Sequence, residues 1–205
     1  RLIAQILLAE AAFMVPALII SLAGQDSQAI LGFALSILVI LAVAGVLMFF
    51  ARKAKKGFYA REGMVCVGLA WIVMCLLGCL PFWISREIPS YLDGLFEIVS
   101  GFTTTGASIL SNVEGLSNGM LYWRSFSHWV GGMGVLVFLL AVVPVSGRND
   151  GFTMHLLRAE SPGPNVAKLV PRIRSTAGIL YILYIVLTVV DFLLLIVGKM
   201  PVLEA

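Results

Sequence analysis

The sequence predicts an all-α integral membrane protein, and three observations carry that prediction. The chain is 60% hydrophobic and 12% charged, with a mean hydropathy of +1.01; a soluble domain carries about 25% charged residues. Five apolar stretches are long enough for a helix to cross a hydrocarbon core of about 30 Å. Between the third and fourth lies a shorter helical pattern followed by a hydroxyl-rich run, which predicts a re-entrant half-helix with an extended return loop.

The first span is predicted over Leu2–Ala23, with Pro16 able to kink it and Glu10 inside it. A carboxylate there is costly, so it is expected to face the bundle or the interface. Gly24–Gln28 reads as a turn, and Ala29–Ala51 as an uncharged second span. Residues 1–51 thus form a pair of amino-terminal helices. Residues 52–62 form a loop that carries Arg52, Lys53, Lys55, Lys56 and Arg61, cytoplasmic by the positive-inside rule. Gly63–Ile84 is the third predicted span. It holds Cys66, Cys75 and Cys79, whose spacing fits no zinc or haem site and reads as free thiols.

The outer segment, Ser85–Gly119, has one base, Arg86, against Glu87, Asp93, Glu97 and Glu114. The fourth span is predicted over Met120–Val145, with Arg124 and His128 near its outer end and Gly131, Gly132 and Gly134 allowing close backbone approach. Residues 146–174 form a basic cytoplasmic linker, in which Gly151–Glu160 reads as an amphipathic surface helix ended by Ser161–Pro164. The fifth span is predicted over Ile173–Val197, the last segment is counted from 175 to 205, and Asp191 near the outer end of the span needs no function. Arg1 and the two basic loops hold eleven of the fourteen Lys and Arg, all on the side predicted to be cytoplasmic. The amino terminus therefore lies inside.

Ser100–Ser108, the sequence SGFTTTGAS, is the feature the spans surround. Ser90 is placed to cap a helix over 91–101, with Asp93 three residues on. About ten helical residues reach roughly 15 Å, half the hydrocarbon core. Thr103–Ala107, read as extended, would carry the chain back to its starting side in roughly 16 Å. Threonines favour extended backbone, and Gly106 can take positive φ. Main-chain oxygens in such a loop can replace the water of a cation, and the negative end of the half-helix favours one. From these residues alone, an external loop with a short hydroxyl-rich strand is an equal reading.

SGFTTTGA, with Trp129–Gly134 and the Arg158–Pro164 sequence RAESPGP, resembles the TrkH/KtrB potassium uptake family, which is related to the plant HKT transporters. The resemblance runs from near residue 1 to near residue 198, and the three motifs together are specific. It implies that 63–145 is the first of four span–pore loop–span units and that 175–205 opens the second, so the chain reads as an amino-terminal portion. It implies a selectivity filter at Thr103, Thr104, Thr105, Gly106 and Ala107, with potassium at Thr104, Thr105 and Gly106. Gly106 matches a glycine tied to preference for potassium over sodium. Glu97, Gly131, Gly132 and Gly134 are implied to support the filter, Glu97 by hydrogen bonds near its backbone. The resemblance also implies a homodimer in the bacterial cytoplasmic membrane, a cytoplasmic nucleotide-binding regulatory subunit and contact with lipid, with potassium as substrate and no cofactor.

Other classes fit poorly. His128, His155 and the scattered acids do not group as a catalytic site, so no enzyme is expected. Neither a Walker lysine nor a dinucleotide fingerprint is present, and no nucleic-acid partner is expected. The remaining alternative is a non-conducting structural or assembly subunit of the membrane.

Overall fold

A computed structural model describes residues 1–51, 60–134 and 173–200. The basic run at 52–59, the later half of the predicted fourth span and the linker up to 172, with its surface helix and the RAESPGP motif, lie outside the described residues. Every regular element among the described residues is helical. The chain divides into two compact units, Arg1–Val135 and Leu136–Ala205.

In the first unit, α1 (Leu2–Ala23) and α2 (Ser27–Phe50) form an antiparallel hairpin. Gln25 takes φ +54° in the turn, and the Asp26 side chain accepts the Ala29 amide at 3.4 Å, capping α2. That cap starts α2 two residues earlier than the apolar pattern alone indicates.

The predicted third span is interrupted. Helix α3 (Ala60–Gly78) stops at Cys79, and a short α4 (Leu80–Ile84) continues the path. The cause is Pro81, which has no N–H to give the Leu77 carbonyl. Val65–Ile84 as a whole remains long and apolar enough to cross a membrane. Gly32 of α2 meets this break closely: a Cβ there would lie 2.9 Å from the Pro81 carbonyl oxygen.

Helix α5 (Tyr91–Phe102) begins where Ser90 accepts the Asp93 amide at 3.3 Å. Its twelve residues span roughly 18 Å, one residue more than the sequence pattern indicates. Helix α6 (Asn118–Met133) packs along α5 and against α1. It ends at Gly134, which adopts φ +69°, and the predicted fourth span from 135 to 145 lies outside the described residues. Only glycine takes that conformation without steric cost. The buried core of this unit centres on Phe33, Phe82, Ile98, Phe102, Met120 and Trp123. Phe102 makes edge contacts with the rings of both Trp71 and Trp123.

In the second unit, α7 (Ile173–Val197) ends through a backbone bond from Gly198 to the Leu194 carbonyl at 2.9 Å. Among the described residues, four helices are long and apolar enough to cross a membrane: Leu2–Ala23, Ser27–Phe50, Val65–Ile84 and Gly178–Val197. Of the fourth predicted span, the described part stops at Gly134.

Candidate ion-pathway loop

The polar run starts as the C-cap of α5 and stays tied to that helix. Thr103 donates both its amide (2.9 Å) and its hydroxyl (2.7 Å) to the Val99 carbonyl. The Thr104 amide reaches Gly101 O and the Thr105 amide reaches Ser100 O, each at 2.9 Å. These bonds answer carbonyls that a helix end leaves unpaired. They also overturn part of the extended reading. Thr103 and Thr104 form a tight turn, with Thr104 at φ +55°, and regular structure ceases only from Thr105 to Leu110. The β-branched preference for extended backbone loses here to hydrogen bonds with the helix end. The hydroxyls of Thr103 and Thr105 lie 2.8 Å apart.

Gly106 takes φ +74°, and a Cβ added to it would meet nothing within 4 Å. Glycine is thus favoured there by backbone conformation, with open space on its outer side. Beyond it the chain is tied back to α5. The Ser100 hydroxyl donates to Ala107 O at 2.6 Å, and the Ser108 hydroxyl and Ile109 amide both donate to Glu97 Oε1 at 2.7 Å. Residues 103–109 are all exposed in this chain, although both ends of the run are held.

Glu97 is fully buried. Its second oxygen, Oε2, accepts Arg124 Nε at 2.7 Å. Burial opposes the charged form of Glu97, but the Ser108 hydroxyl, the Arg124 guanidinium and the Ile109 amide together hold its carboxyl below the usual carboxylate range. One carboxylate thereby joins α5, the outgoing arm of the loop and α6. With three donors on two oxygens, it is committed to the scaffold.

The three glycines of α6 part company. Gly131 presses on the end of α5: a Cβ there would collide with the Phe102 carbonyl oxygen and lie 3.0 Å from Gly101 O. Gly134 terminates the helix, and Gly132 is exposed. Close packing also occurs at Gly101, where a Cβ would strike the Ser127 hydroxyl. Small residues are what let two backbones approach in a membrane.

Sequence reasoning left three participants without a role: Arg124, Ser100 and Ser108. Arg124 had a signal, because a cation set in an apolar helix calls for a counter-charge, and Glu97 stands in an equally apolar segment. Glu87, one of the acids of the outer segment, accepts the amide and hydroxyl of Ser117, each at 2.7 Å, at the N-cap of α6. His128 Nδ1 meets the Arg124 carbonyl at 3.0 Å, one turn back on its own helix.

Comparison with known proteins bears on this arrangement. A family model described as TrkH, cation transport protein, matches residues 29–201. The Trk system potassium uptake protein TrkH of Salmonella typhimurium is 39% identical over 170 residues, which are 82% of this chain and 34% of that protein. The TrkH of Escherichia coli K12 is 41% identical over 154 residues, 74% of this chain and 31% of the relative. The crystal structure of the potassium transporter TrkH from Vibrio parahaemolyticus superposes with a TM-score of 0.77 and 27% identity, covering 99% of this chain and 40% of that one. The chain spans about a third of the length of the curated relatives it matches.

Proposed function

The chain belongs to the TrkH cation transport protein family, and from that premise we propose that it supplies one of four filter segments of a potassium uptake pathway in the bacterial cytoplasmic membrane. In this reading α5 is a re-entrant pore helix and Thr103–Ala107 is the filter. Potassium meets main-chain oxygens and threonine hydroxyls at Thr104, Thr105 and Gly106. The carboxylate nearest the run is occupied by its own donors and serves as scaffold rather than ligand. Glu97, with Gly131, sets the position of the loop.

The observation that carries the reading is the exposed, irregular backbone at 103–109, tied at both ends to one short half-buried helix packed on apolar helices. Exposure at that place fits a surface that other filter segments complete around an axis. A single segment cannot enclose an ion, since carbonyl-ring filters use about four. The alignments cover only 34% and 31% of the two relatives, which is consistent with the remaining segments standing elsewhere in a full protein. Potassium is the substrate in this proposal. The partners are a second copy of the protein, a cytoplasmic nucleotide-binding regulatory subunit and lipid, with the amino terminus inside.

The test uses the full-length protein in cells lacking their own potassium uptake. It should restore growth at low potassium, and Gly106→Ser should lower the ratio of potassium to sodium transport. Gly106→Ala is the control, because both variants strain a φ of +74° by about 1–2 kcal/mol, whereas only serine adds a hydroxyl. An unchanged ratio in Gly106→Ser, with normal membrane insertion, refutes the filter assignment.

A further inference from the structure

One buried ionisable group is left unused by the potassium reading. Glu10 lies near the middle of α1 with 2% of its surface exposed. Among the described residues, neither of its carboxylate oxygens has a hydrogen-bond partner. The carboxyl rests on bare backbone at the helix break: a Cβ on Gly78 would lie 2.8 Å from Glu10 Oε1 and 3.2 Å from the Phe102 ring. It borders a cavity of about 10 Å³, whose lining includes Ile6, Phe13, Met74, Phe102 and Trp123. The indole N–H of Trp123, a donor in this lining, is already given to Gly78 O at 2.9 Å.

Among the described residues, the surroundings offer no counter-charge. On α3, the groups that interact electrostatically with Glu10 are the thiols of Cys75 and Cys79. Helix α2 contains no ionisable residue. On α5 and α6, Glu97 and Arg124 are paired with each other, and His128 Nδ1 is at its own helix. An ionised carboxylate buried without a partner costs far more than a neutral one, and in practice such a group neutralises. A metal ion is a poor alternative: among the described residues, no three His, Cys, Asp or Glu come together as a ligand set.

We infer that Glu10 is a buried proton-binding site, holding a neutral carboxyl against the Gly78 break behind the helix that carries the threonine run. The bound proton has a consequence for a cation pathway. Phe102 lines the cavity with its ring and continues directly into Thr103 with its backbone. A bare carboxylate there would attract cations away from the run and wet the contact between Phe102 and Trp123; the proton removes that charge.

The test is difference infrared spectroscopy on the full-length protein at neutral pH, wild type against Glu10→Gln. The expected difference is loss of a protonated-carboxyl C=O band, shifted in heavy water, with the carboxylate bands unchanged. Loss of carboxylate bands instead overturns the inference. Thermal unfolding of Glu10→Met gives a second reading that needs no isostere of the acid. A protein at least as stable as wild type is expected, since an apolar side chain replaces an orphaned polar one. A large fall in melting temperature, or failure of both variants to insert, shows that the carboxyl has a partner and overturns the site. Neither measurement depends on transport, so the potassium reading stands or falls separately.

Discussion

Replacing Arg124 by Gln tests whether the scaffold of the loop is electrostatic. Arg124 Nε and Glu97 Oε2 are 2.7 Å apart, with the side chains 15% and 0% exposed. Removing one member of a buried pair leaves an uncompensated charge and costs about 3–5 kcal/mol. Here the lower end applies, because Glu97 keeps the Ser108 hydroxyl and the Ile109 amide. Arg124→Gln should therefore destabilise by about 3 kcal/mol. Glu97→Gln should cost a similar amount, by leaving the guanidinium unpaired and turning an amide N–H₂ toward one of its donors. The double variant should recover much of the loss, because neither charge is then stranded. Thermal unfolding of the full-length protein in detergent, read for all four forms, gives the coupling. Additivity within about 0.5 kcal/mol would refute the linkage. The pH dependence has a fixed sign. The folded-state carboxyl of Glu97 is held down, so its contribution is complete above the unfolded value of about 4.3. It is lost as pH falls through the depressed folded value. In Arg124→Gln that acid loss should begin at higher pH.

Two further outcomes are expected. Gly131→Ala should cost about 1–3 kcal/mol and lower uptake more than Gly132→Ala, because only Gly131 abuts the Phe102 carbonyl; equal effects in uptake assays would refute the contact. A topology reporter after Lys56 should read cytoplasmic and one after Glu114 external; the reverse would overturn the orientation taken from the basic loops.

What the sequence revealed and what it hid follow from the range of the interactions. Helix α1 was legible to the residue, because a run of apolar side chains in lipid has no competing structure. The start of α5 was legible because Ser90 caps it three residues away. The break at Cys79 is only half legible: Pro81 stands in the sequence three residues from the predicted end at Ile84, where a proline does not by itself distinguish a break from a helix terminus. The end of α6 was hidden, since Gly131, Gly132 and Gly134 are equivalent as letters, and only contact with Phe102 and a positive φ distinguish them.

The loop itself shows why the threonines were misread. Its ties lie almost within one stretch of α5: Glu97 holds Ser108 and Ile109, Val99 holds Thr103, Ser100 holds Thr105 and Ala107, and Gly101 holds Thr104. The return path is thus templated by the helix that precedes it, and a propensity of a few tenths of a kcal/mol cannot compete with several hydrogen bonds of about 1 kcal/mol each. Among the described residues, inputs from afar include the Arg124 charge, 27 residues from Glu97, and the missing side chain of Gly131. A local template explains how one chain segment can hold its loop without neighbouring segments. It also leaves the outer side of Gly106 open, with nothing within 4 Å of where a side chain would start.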